Sequence, residues 1–586
     1  MSSVIKRRPI PDTIDLPDTF HPVLKRVLAA RHVKTLKELD YSLQNLLSYT
    51  LLLGIDDAVT LLYEALVKQA RILIVADYDA DGATSCAVAM KALEQMGAKK
   101  VGFLVPNRKE HGYGLTPEIV EFSLKESFLA YTPPGEGADL LITVDNGISS
   151  ISGVETAKEK GMRVLITDHH LPGKELPAAE AIINPKREGD LFPSKNLCGA
   201  GVIFYVMMAL RAHLRDNAWF TAQGFQQPNL ANLLDLVALG TVADVVTLDY
   251  NNRILIEQGL RRIRADYCCP GIRALVKISR CEPSHLVASD LAFYVGPRLN
   301  AAGRMGDMSD GIACLLSDND YSAKKHAQFL ENFNKERRLE EASMRFGALE
   351  MLDELGDVDN LPIGLCLLNE KWHQGVVGIL AARLKDRLHR PVIIFTHDKN
   401  NLIRGSGRSV QGVHLRDIIE VIGTKHPGMI TFFGGHAMAA GLTIPRTQFE
   451  AFQQIFDEEV RQYLSVNDLH GVIESDGALS DDDFNLELAE QLRMLTPWGH
   501  HFPEPIFDGE FEVLERRLLK DKHLKMRVRS QSGGIPIDVI AFNTSYSDLP
   551  DDVNQVRLAY HLHVNLYRGL KSVQLMAKNV AVSDSI

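Results

Sequence analysis

Three aspartates occupy every second position within the stretch 71–84, RILIVADYDADGAT, and are candidates for binding a metal ion. Asp77, Asp79 and Asp81 follow the apolar run 72–76, and a glycine and a helix-forming run come after them. An unbroken apolar run is typical of a buried parallel strand, whose carboxyl end faces the crevice where open α/β sheets bind ligands. Acids crowded there repel one another unless a hard divalent cation lies among them. The spacing predicts a metal site; the alternative is an acidic turn that caps the next helix.

The order of apolar strand and then acid recurs farther along the chain. The runs 140–144 and 164–167 each end at polar residues, and the helical run 233–239 leads to another acid. The side chains delivered in this way are Asp145, Asp168, His169, His170 and Asp244. Mixed carboxylate and imidazole ligands suit Mn²⁺ or Mg²⁺ better than a thiolate-rich zinc site does. Two such ions about 4 Å apart can hydrolyse a phosphoester. Taken alone, the histidine pair would be more typical of a loop at a strand end, but the pattern of strand and then acid occurs three times, at Asp77, Asp145 and Asp168.

The elements that must position these residues indicate an α/β protein with several domains. Alternating strands and helices after residue 71 predict a parallel sheet covered by helices, and a second α/β unit follows a long polar helix. The tail reads as a small β-barrel, for which the five-stranded nucleic-acid-binding (OB-like) barrel is one option. The predicted strands are 72–77, 101–105, 140–145, 164–167, 181–183, 363–368, 392–396, 402–407, 505–514, 523–529, 535–541, 556–565 and 572–580. The predicted boundaries are 1–65 for an N-terminal helical segment, 66–320 for the first α/β domain, 321–355 for the connector helix, 356–465 for the second α/β domain and 466–586 for the barrel.

Composition restricts the functional class only loosely. The chain has 586 residues, 45% of them hydrophobic and 24% charged, as in an ordinary soluble globular protein. The absence of a long apolar run, of a signal-peptide core and of C-x-x-C spacing among the seven cysteines predicts a cytoplasmic protein with free thiols and no membrane contact. A net charge of −11 argues against a simple polyanion binder, so basic residues would have to cluster locally.

Several arginines lie in glycine-rich stretches that let a backbone approach a ligand closely. The nest 404–409, RGSGRS, could hold a terminal phosphate through backbone N–H groups and its arginines, or it could be a turn with exposed charges. The strip 515–529 carries seven Lys and Arg against two acids. That strip could follow a phosphate backbone, or it could be a charged strand edge. The other candidates for phosphate contact are Arg108, Arg298 and Arg304.

In combination, these motifs resemble a known family. D-Y-D-A-D-G, V-D-N-G, D-H-H and G-T-V-A-D resemble the four motifs of the DHH phosphoesterase superfamily. The run 434–441, GGHAMAAG, is similar to the glycine-rich motif of the associated second domain. The run 296–304, GPRLNAAGR, with N-R at 107–108 and G-Y-G at 112–114, is similar to the bacterial single-strand-specific exonucleases of that superfamily. The resemblance covers about residues 50 to 580.

The resemblance implies a metal-dependent 5′-to-3′ exonuclease that degrades single-stranded DNA to 5′-mononucleotides in repair and recombination. It implies a DHH catalytic domain, a DHH-associated substrate-binding domain joined to it by a long helix, and an OB-like domain. It also implies two Mn²⁺ or Mg²⁺ ions, held by Asp79, Asp81, Asp145, His169 and Asp244. Residues that ligate or support the ions would be Asp77, Asp168 and His170. The chain departs from many superfamily phosphatases at Val75, where they carry a histidine.

The same resemblance assigns substrate contacts and partners. Substrate-binding residues would be Arg108, Arg298, Asn300, Arg304, Ser406, Arg408 and His436. Single-stranded DNA would be the substrate, and a single-stranded-DNA-binding protein and a helicase would be partners. Two alternatives stay open at this point: a DHH-type phosphodiesterase on short oligonucleotides or cyclic dinucleotides, and a non-catalytic DNA-binding scaffold. Eroded carboxylates would be expected of the scaffold, whereas the acids and both histidines are present.

Overall fold

The structure is a computed structural model that describes residues 4–11, 15–107, 114–125, 137–354, 361–519, 523–542, 544, 553–567 and 569–582. The chain divides into two compact units. The first, here called the N-terminal unit, contains residues 10–334 and 485–505. The second, the C-terminal unit, contains residues 1–9, 335–484 and 506–586.

Strands and helices alternate through most of the described chain. The strands are β1 (Val4–Arg7), β2 (Ile72–Ala76), β3 (Val101–Leu104), β4 (Leu140–Val144), β5 (Arg163–Thr167), β6 (Ala181–Ile183), β7 (Leu365–Leu368), β8 (Val392–His397), β9 (Leu402–Arg408), β10 (Phe432–Gly435), β11 (Ala439–Pro445), β12 (Val472–Ser475), β13 (Phe507–Leu519), β14 (His523–Ser530), β15 (Ile537–Phe542), β16 (Gln555–Tyr567) and β17 (Leu570–Val582). The helices are α1 (Pro22–Ala29), α2 (Ile55–Val67), α3 (Ala80–Gln95), α4 (Pro117–Lys125), α5 (Ile151–Glu159), α6 (Gly199–Asp216), α7 (Trp219–Gln223), α8 (Leu234–Ala243), α9 (Tyr250–Arg264), α10 (Pro270–Ile278), α11 (Ala288–Asp290), α12 (Gly296–Met305), α13 (Ser309–Leu316), α14 (Asp320–Glu354), α15 (Val377–Leu388), α16 (Leu415–Lys425), α17 (Phe449–Val460) and α18 (Leu486–Met494). A π-helical turn, Leu291–Val295, joins α11 to α12.

A five-stranded parallel sheet forms the centre of the N-terminal unit. Its strand order is β3-β2-β4-β5-β6, and each neighbouring pair is parallel. Every residue of β2 and β4 is buried, as expected of strands covered by helices on both faces. Because the strands run the same way, their carboxyl ends meet at one edge of the sheet. This arrangement confirms the α/β class and the five strands predicted for this part of the chain.

The C-terminal unit contains a second, mixed sheet and the barrel. The sheet has the order β10-β11-β9-β8-β7, in which only the β7–β8 pair is parallel. The hairpin of β10 and β11 is absent from the predicted strands because its glycines and alanines carry little strand propensity. The five tail strands pair as β13-β14-β15-β17-β16, and β16 pairs back to β13, so they close into a barrel. This confirms the predicted β-barrel.

The segment at the start of the described chain differs from the prediction. The opening residues, expected to be helical, form β1, which pairs in parallel with β12. Arg7 of β1 then donates to Asp508 of β13 with both nitrogen–oxygen distances at 3.0 Å. A four-residue strand whose partner lies more than 460 residues away has no local sequence signal.

Among helices of the described residues, none has the length and apolar character needed to cross a membrane.

The segment 485–505 packs into the N-terminal unit although it directly precedes the barrel. The hydroxyl groups of Tyr41 and Thr496 lie 2.6 Å apart. The guanidinium carbon of Arg31 lies 5.1 Å from the ring centroid of Trp498, which is within the range of a cation–π contact. The backbone N–H of Leu248 also donates to the carbonyl of His500 at 2.9 Å. These contacts tie this segment to the region around α1 and to the loop after α8.

Candidate metal centre

The carboxyl end of β2 and the start of α3 deliver the first group of aspartates. Asp79 caps α3, because its Oδ1 accepts the N–H groups of Asp81 at 2.9 Å and Gly82 at 3.0 Å. A Cβ atom at position 82 would lie 2.3 Å from the carbonyl oxygen of Asp77, so only glycine allows this tight turn. The helix-cap alternative and the metal-site prediction therefore describe the same turn. The cap fixes the turn that presents the other two aspartates.

Asp145 follows β4 in a backbone conformation that few residues adopt. Its φ is +63°, in the left-handed region, which costs energy for a side-chain-bearing residue but least for Asn and Asp. The side chain is buried at the edge of the sheet, next to the end of β5. Uncommon backbone geometry of this kind is often found at functional sites.

Eight predicted residues meet at this edge, and seven of them form overlapping groups whose possible ligand atoms lie within 4.8 Å of one another. The groups are Asp77, Asp79 and Asp145; Asp81, His169 and Asp244; and Asp145, His169 and His170. Nε2 of His169 lies 3.0 Å from Asp145, 3.5 Å from Asp244 and 3.9 Å from Asp81. Carboxylate oxygens and imidazole nitrogens at these spacings fit Mn²⁺ or Mg²⁺. Two of the groups share no residue, which fits two neighbouring ions.

Asp168, the eighth residue, organises the loop that carries the two histidines. Its Oδ1 accepts the backbone N–H groups of His169 at 2.7 Å and His170 at 3.0 Å, and its Oδ2 accepts that of Ile148 at 2.9 Å. Nδ1 of His170 lies 2.7 Å from the same Oδ1. These contacts give Asp168 a supporting position behind the histidines, as is common for the neighbours of metal ligands.

The electrostatics of the cluster show why it needs a cation. Burial, followed by repulsion from Asp79, raises the pKa of Asp81 to about 6. Burial and neighbouring carboxylates also raise the pKa values of Asp145 and Asp244 well above the usual range. Burial would also raise the pKa of Asp168. The hydrogen bond and the charge of His170 outweigh burial there and lower the pKa of Asp168 to about 2. A divalent cation would let the crowded carboxylates ionise together.

The N-terminus of α6 holds Asp81, and the sequence motifs did not identify it. The N–H of Gly199 donates to Oδ2 of Asp81 at 2.5 Å, and that of Ala200 donates to Oδ1 at 3.0 Å. A Cβ atom at position 199 would lie 2.5 Å from the Cβ of Asp145. The only sequence signal is the run 198–201, CGAG, at the start of an apolar helix. Two N–H groups at a helix N-terminus are suited to fixing a carboxylate.

Asp244 reaches the sheet edge from the end of α8. The next residue, Val245, has a φ of +56° and is 60% exposed. A β-branched residue in the left-handed region is a clear outlier and carries strain. The strained turn ends α8 so that Asp244 meets His169.

The predicted phosphate-binding residues of the C-terminal unit lie on β9 and the adjoining hairpin. Nη1 of Arg408 lies 3.4 Å from Oγ of Ser406. A Cβ atom on Gly378, at the start of α15, would lie 2.8 Å from that Oγ and 3.0 Å from Nη2 of Arg408. His436 lies in the turn between β10 and β11, exposed to solvent, and Ala439 of that hairpin pairs with Arg408. Ser406 and Arg408 thus lie on the central strand of the sheet, and His436 lies in the hairpin that pairs with this strand.

The predicted residues of the N-terminal unit differ in their surroundings. Asn300 accepts the N–H of Ala80 through its Oδ1 at 2.9 Å, so it supports the aspartate turn. Arg298 is buried, with its Nε 2.7 Å from Glu331, and its contact with the substrate stays a prediction. Arg304 is half-buried on α12. Arg108 lies outside the described residues.

The fold and the cluster of acids and histidines define a metal-dependent phosphoesterase of the DHH class. Family models match residues 71–241 (DHH family, N-terminal domain), 361–462 (DHHA1 domain) and 475–579 (RecJ OB domain). The single-stranded-DNA-specific exonuclease RecJ of Dickeya dadantii is 51% identical over 98% of both chains, and that of Escherichia coli is 49% identical over 98% of both. The crystal structure of RecJ with Mn²⁺ from Thermus thermophilus is 27% identical, with a TM-score of 0.79 over 99% of this chain and 80% of that one. The chain therefore belongs to the RecJ family of single-stranded-DNA-specific exonucleases.

Proposed function

We propose that the protein is a metal-dependent exonuclease that degrades single-stranded DNA in the 5′-to-3′ direction and releases 5′-mononucleotides. The cluster of aspartates and histidines at the edge of the parallel sheet carries this proposal. Family membership adds the substrate, because the relatives that match nearly the whole chain are named single-stranded-DNA-specific exonucleases. Mn²⁺ or Mg²⁺ is the cofactor, in accordance with the donor set and with the RecJ structures solved with either ion.

The residues of the chain prepare the site for hydrolysis of a phosphodiester. When bound, the cations would supply a reactive water and neutralise charge that develops on the phosphate. Gly199 and Ala200 hold Asp81, and Asp79 holds the turn that carries it. Asp168 accepts a hydrogen bond from Nδ1 of His170 and raises its pKa to about 9 in the metal-free protein, although burial opposes this. This bond fixes the orientation of the imidazole ring beside the cluster.

The surface that Ser406 and Arg408 form on β9 is proposed to bind the terminal 5′-phosphate. Arg forks match phosphate oxygens in bidentate geometry, and the start of α15 lies against the same two side chains. We expect Arg408→Ala to lower the preference for a 5′-phosphate over a 5′-hydroxyl end by about tenfold or more. Arg461→Ala on α17 is the matched control, because Arg461 is half-exposed and its Nε pairs with Asp457 at 2.8 Å. An unchanged end preference in Arg408→Ala would place the phosphate site elsewhere.

The first test of the function uses single-stranded DNA with a 5′-phosphate and a label at the 3′ end. Stepwise shortening of the labelled strand in Mn²⁺, with mononucleotides released and no reaction in EDTA, is the expected result. Cleavage of a dinucleotide while the long strand stays intact would instead assign the chain to the phosphodiesterases of short substrates.

We also propose that the protein works in the cytoplasm, in DNA repair and recombination, with a single-stranded-DNA-binding protein and a helicase as partners. Recovery of either partner on a column of the immobilised protein would test that part.

A further inference from the structure

The loop of residues 245–249 connects α8 to α9 and directly follows Asp244 of the metal centre. Asp244 ends α8, and its carboxylate lies 3.5 Å from Nε2 of His169. The loop starts in a strained conformation, because Val245 has a φ of +56°. A strained turn persists only where the surrounding structure holds it, so the contacts farther along this loop decide where Asp244 lies.

The far end of the loop is anchored through the backbone of Leu248, four residues after Asp244. Its N–H donates to the carbonyl of His500 at 2.9 Å, and its carbonyl accepts from Nη1 of Arg253 at 2.9 Å. The side chain of Leu248 is buried. Both backbone groups of this residue thus bind partners outside the loop, one on α9 and one in the segment 485–505.

Arg253 and Phe502 join these two anchors. Arg253 is buried on α9, and its guanidinium carbon lies 4.1 Å from the ring centroid of Phe502, which is also buried. The phenyl ring in turn stacks on Trp498, with ring centroids 5.5 Å apart and planes inclined by 18°. A guanidinium over an aromatic face is attracted more strongly when both are removed from water. One guanidinium therefore binds both the carbonyl of Leu248 and the aromatic pair of the segment.

The turn 499–502 packs directly on the loop. The backbones of Gly499 and Phe502 bind each other through two hydrogen bonds of 2.9 and 3.1 Å. A Cβ atom at position 499 would lie 2.7 Å from Cδ1 of Leu248, so glycine lets the turn approach the loop this closely. Nε of Arg31 donates to the carbonyl of Pro503 at 2.7 Å and fixes the chain directly after the turn. The turn therefore has anchors of its own within the N-terminal unit.

We propose that Arg253 and Phe502 are positioning residues of the metal centre, which hold the loop of Leu248 and thereby the carboxylate of Asp244. The inference rests on the proposed function and deepens it: a residue within the match to the RecJ OB domain, residues 475–579, sets the metal affinity of the DHH domain. Neither side chain is a metal ligand. Disturbing the neighbours of metal ligands usually lowers metal affinity about 10- to 100-fold.

The test measures Mn²⁺ binding to the full chain without DNA, from the electron paramagnetic resonance signal of free Mn²⁺ during a titration. We expect Arg253→Met and Phe502→Leu each to weaken Mn²⁺ binding about tenfold, because each keeps apolar bulk and removes the contact. The double variant should lose no more than Arg253→Met alone, since both changes break one contact. Dinucleotide hydrolysis should need correspondingly more Mn²⁺ and come close to the wild-type rate at saturation.

Arg390→Met and Phe456→Leu are the matched controls, and both positions lie in the C-terminal unit. Arg390 is a buried arginine that donates to the backbone carbonyl of Leu361 at 2.9 Å. Phe456 is a buried ring that stacks on Phe452, with centroids 6.0 Å apart. These substitutions should lower the melting temperature and leave Mn²⁺ binding unchanged.

Gly499→Ala is a second variant that keeps both positioning side chains, because its new Cβ would push the turn away from Leu248. We expect it to weaken Mn²⁺ binding as well. Wild-type Mn²⁺ affinity in the folded variants, or equal losses in the test and control variants, would overturn the positioning role. Shortening of single-stranded DNA by the wild type is read separately, so failure of the exonuclease function is distinguished from failure of the positioning role.

Discussion

At the scale of single residues, the carboxylates of the metal centre were predictable and their helpers were not. Asp77, Asp79 and Asp81 could be identified because each lies at or just after the end of an apolar strand run. That Asp79 also caps α3, and that Asp168 supports His170, depends on hydrogen bonds that no spacing reveals. Arg298 shows the limit most clearly. Its motif predicts phosphate contact, whereas no spacing in the sequence predicts that its Nε lies 2.7 Å from Glu331 on α14.

Asp81→Asn should reduce metal-dependent cleavage by more than about 100-fold, because it removes a charge from a site that depends on it. The amide keeps the size of the side chain, so the fold should remain. Asp235→Asn is the matched control: Asp235 is also a buried aspartate, and it accepts the N–H of Cys269 at 2.7 Å instead of facing the cluster. We expect Asp235→Asn to cost stability and to leave the rate per folded molecule close to that of the wild type. Equal loss of activity in both variants would contradict a special role for Asp81.

The raised pKa values predict how stability depends on pH in the metal-free protein. The pKa of Asp81 is raised from 3.8 to about 6 by burial and by Asp79, so the folded state binds a proton more tightly than the unfolded state does. Stability from this group is complete below pH 3.8 and is lost as pH rises through about 6. His170 acts with the same sign: its stabilisation is complete below pH 6.5 and is lost as pH rises through about 9.

In EDTA, the melting temperature should therefore fall between about pH 5 and about pH 8 through these groups. Mn²⁺ requires deprotonated ligands, so its stabilising effect should grow over the same interval. Thermal unfolding across this pH range, with EDTA and with Mn²⁺, measures both trends. Asp81→Asn should make the slope in EDTA shallower. A rise in melting temperature on adding Mn²⁺ that is the same at both ends of the range would contradict the cluster as the metal site.

At the scale of elements, strands that are buried on both faces were predictable from their apolar runs alone. β2 and β4 are buried throughout, and β5 is buried in all but its first residue, so their side chains must be largely apolar. The hairpin of β10 and β11 was not predicted because it contains glycines and alanines, which let backbones approach closely but have little propensity for strands. β1 was missed because its partner β12 is distant in sequence. The role of the N-terminus of α6 was not predicted for the same reason, because it depends on a hydrogen bond to Asp81, which is distant in sequence.

Gly199→Ala tests that role of α6. The new Cβ would meet the Cβ of Asp145 at 2.5 Å, so either the helix end or the aspartate must move. We expect apparent Mn²⁺ affinity to fall about 10- to 100-fold, which is the usual effect of disturbing the neighbours of metal ligands. Activity should recover partly at high Mn²⁺ concentration. Gly423→Ala on α16 is the matched control, because its new Cβ would be 3.7 Å from the nearest side-chain atom, that of Ile430. An unchanged Mn²⁺ dependence in Gly199→Ala would contradict the positioning role.

At the scale of the whole molecule, the sequence indicated the order of domains but not how the chain threads between the units. The long helix was evident from its uninterrupted polar run, and α14 follows that prediction closely. The return of 485–505 to the N-terminal unit was not evident, because Tyr41, Arg31 and Leu248 lie hundreds of residues earlier. This threading matters for any truncation that aims to separate catalysis from DNA binding.

Two truncations separate these functions if the threading is correct. A chain that ends at Pro505 loses the barrel but keeps Thr496, Trp498 and His500, which pack against the N-terminal unit. We expect it to hydrolyse a dinucleotide at close to the wild-type rate and to bind a long single strand at least about tenfold more weakly, because the basic strands of the barrel are gone. A chain that ends at Ser465 also loses 485–505, so it should unfold at a lower temperature and lose dinucleotide hydrolysis as well. Equal stability and equal dinucleotide hydrolysis in the two truncations would show that 485–505 does not support the metal centre. Equal loss of both activities in the longer chain would make the barrel a structural part of the enzyme rather than a site for DNA.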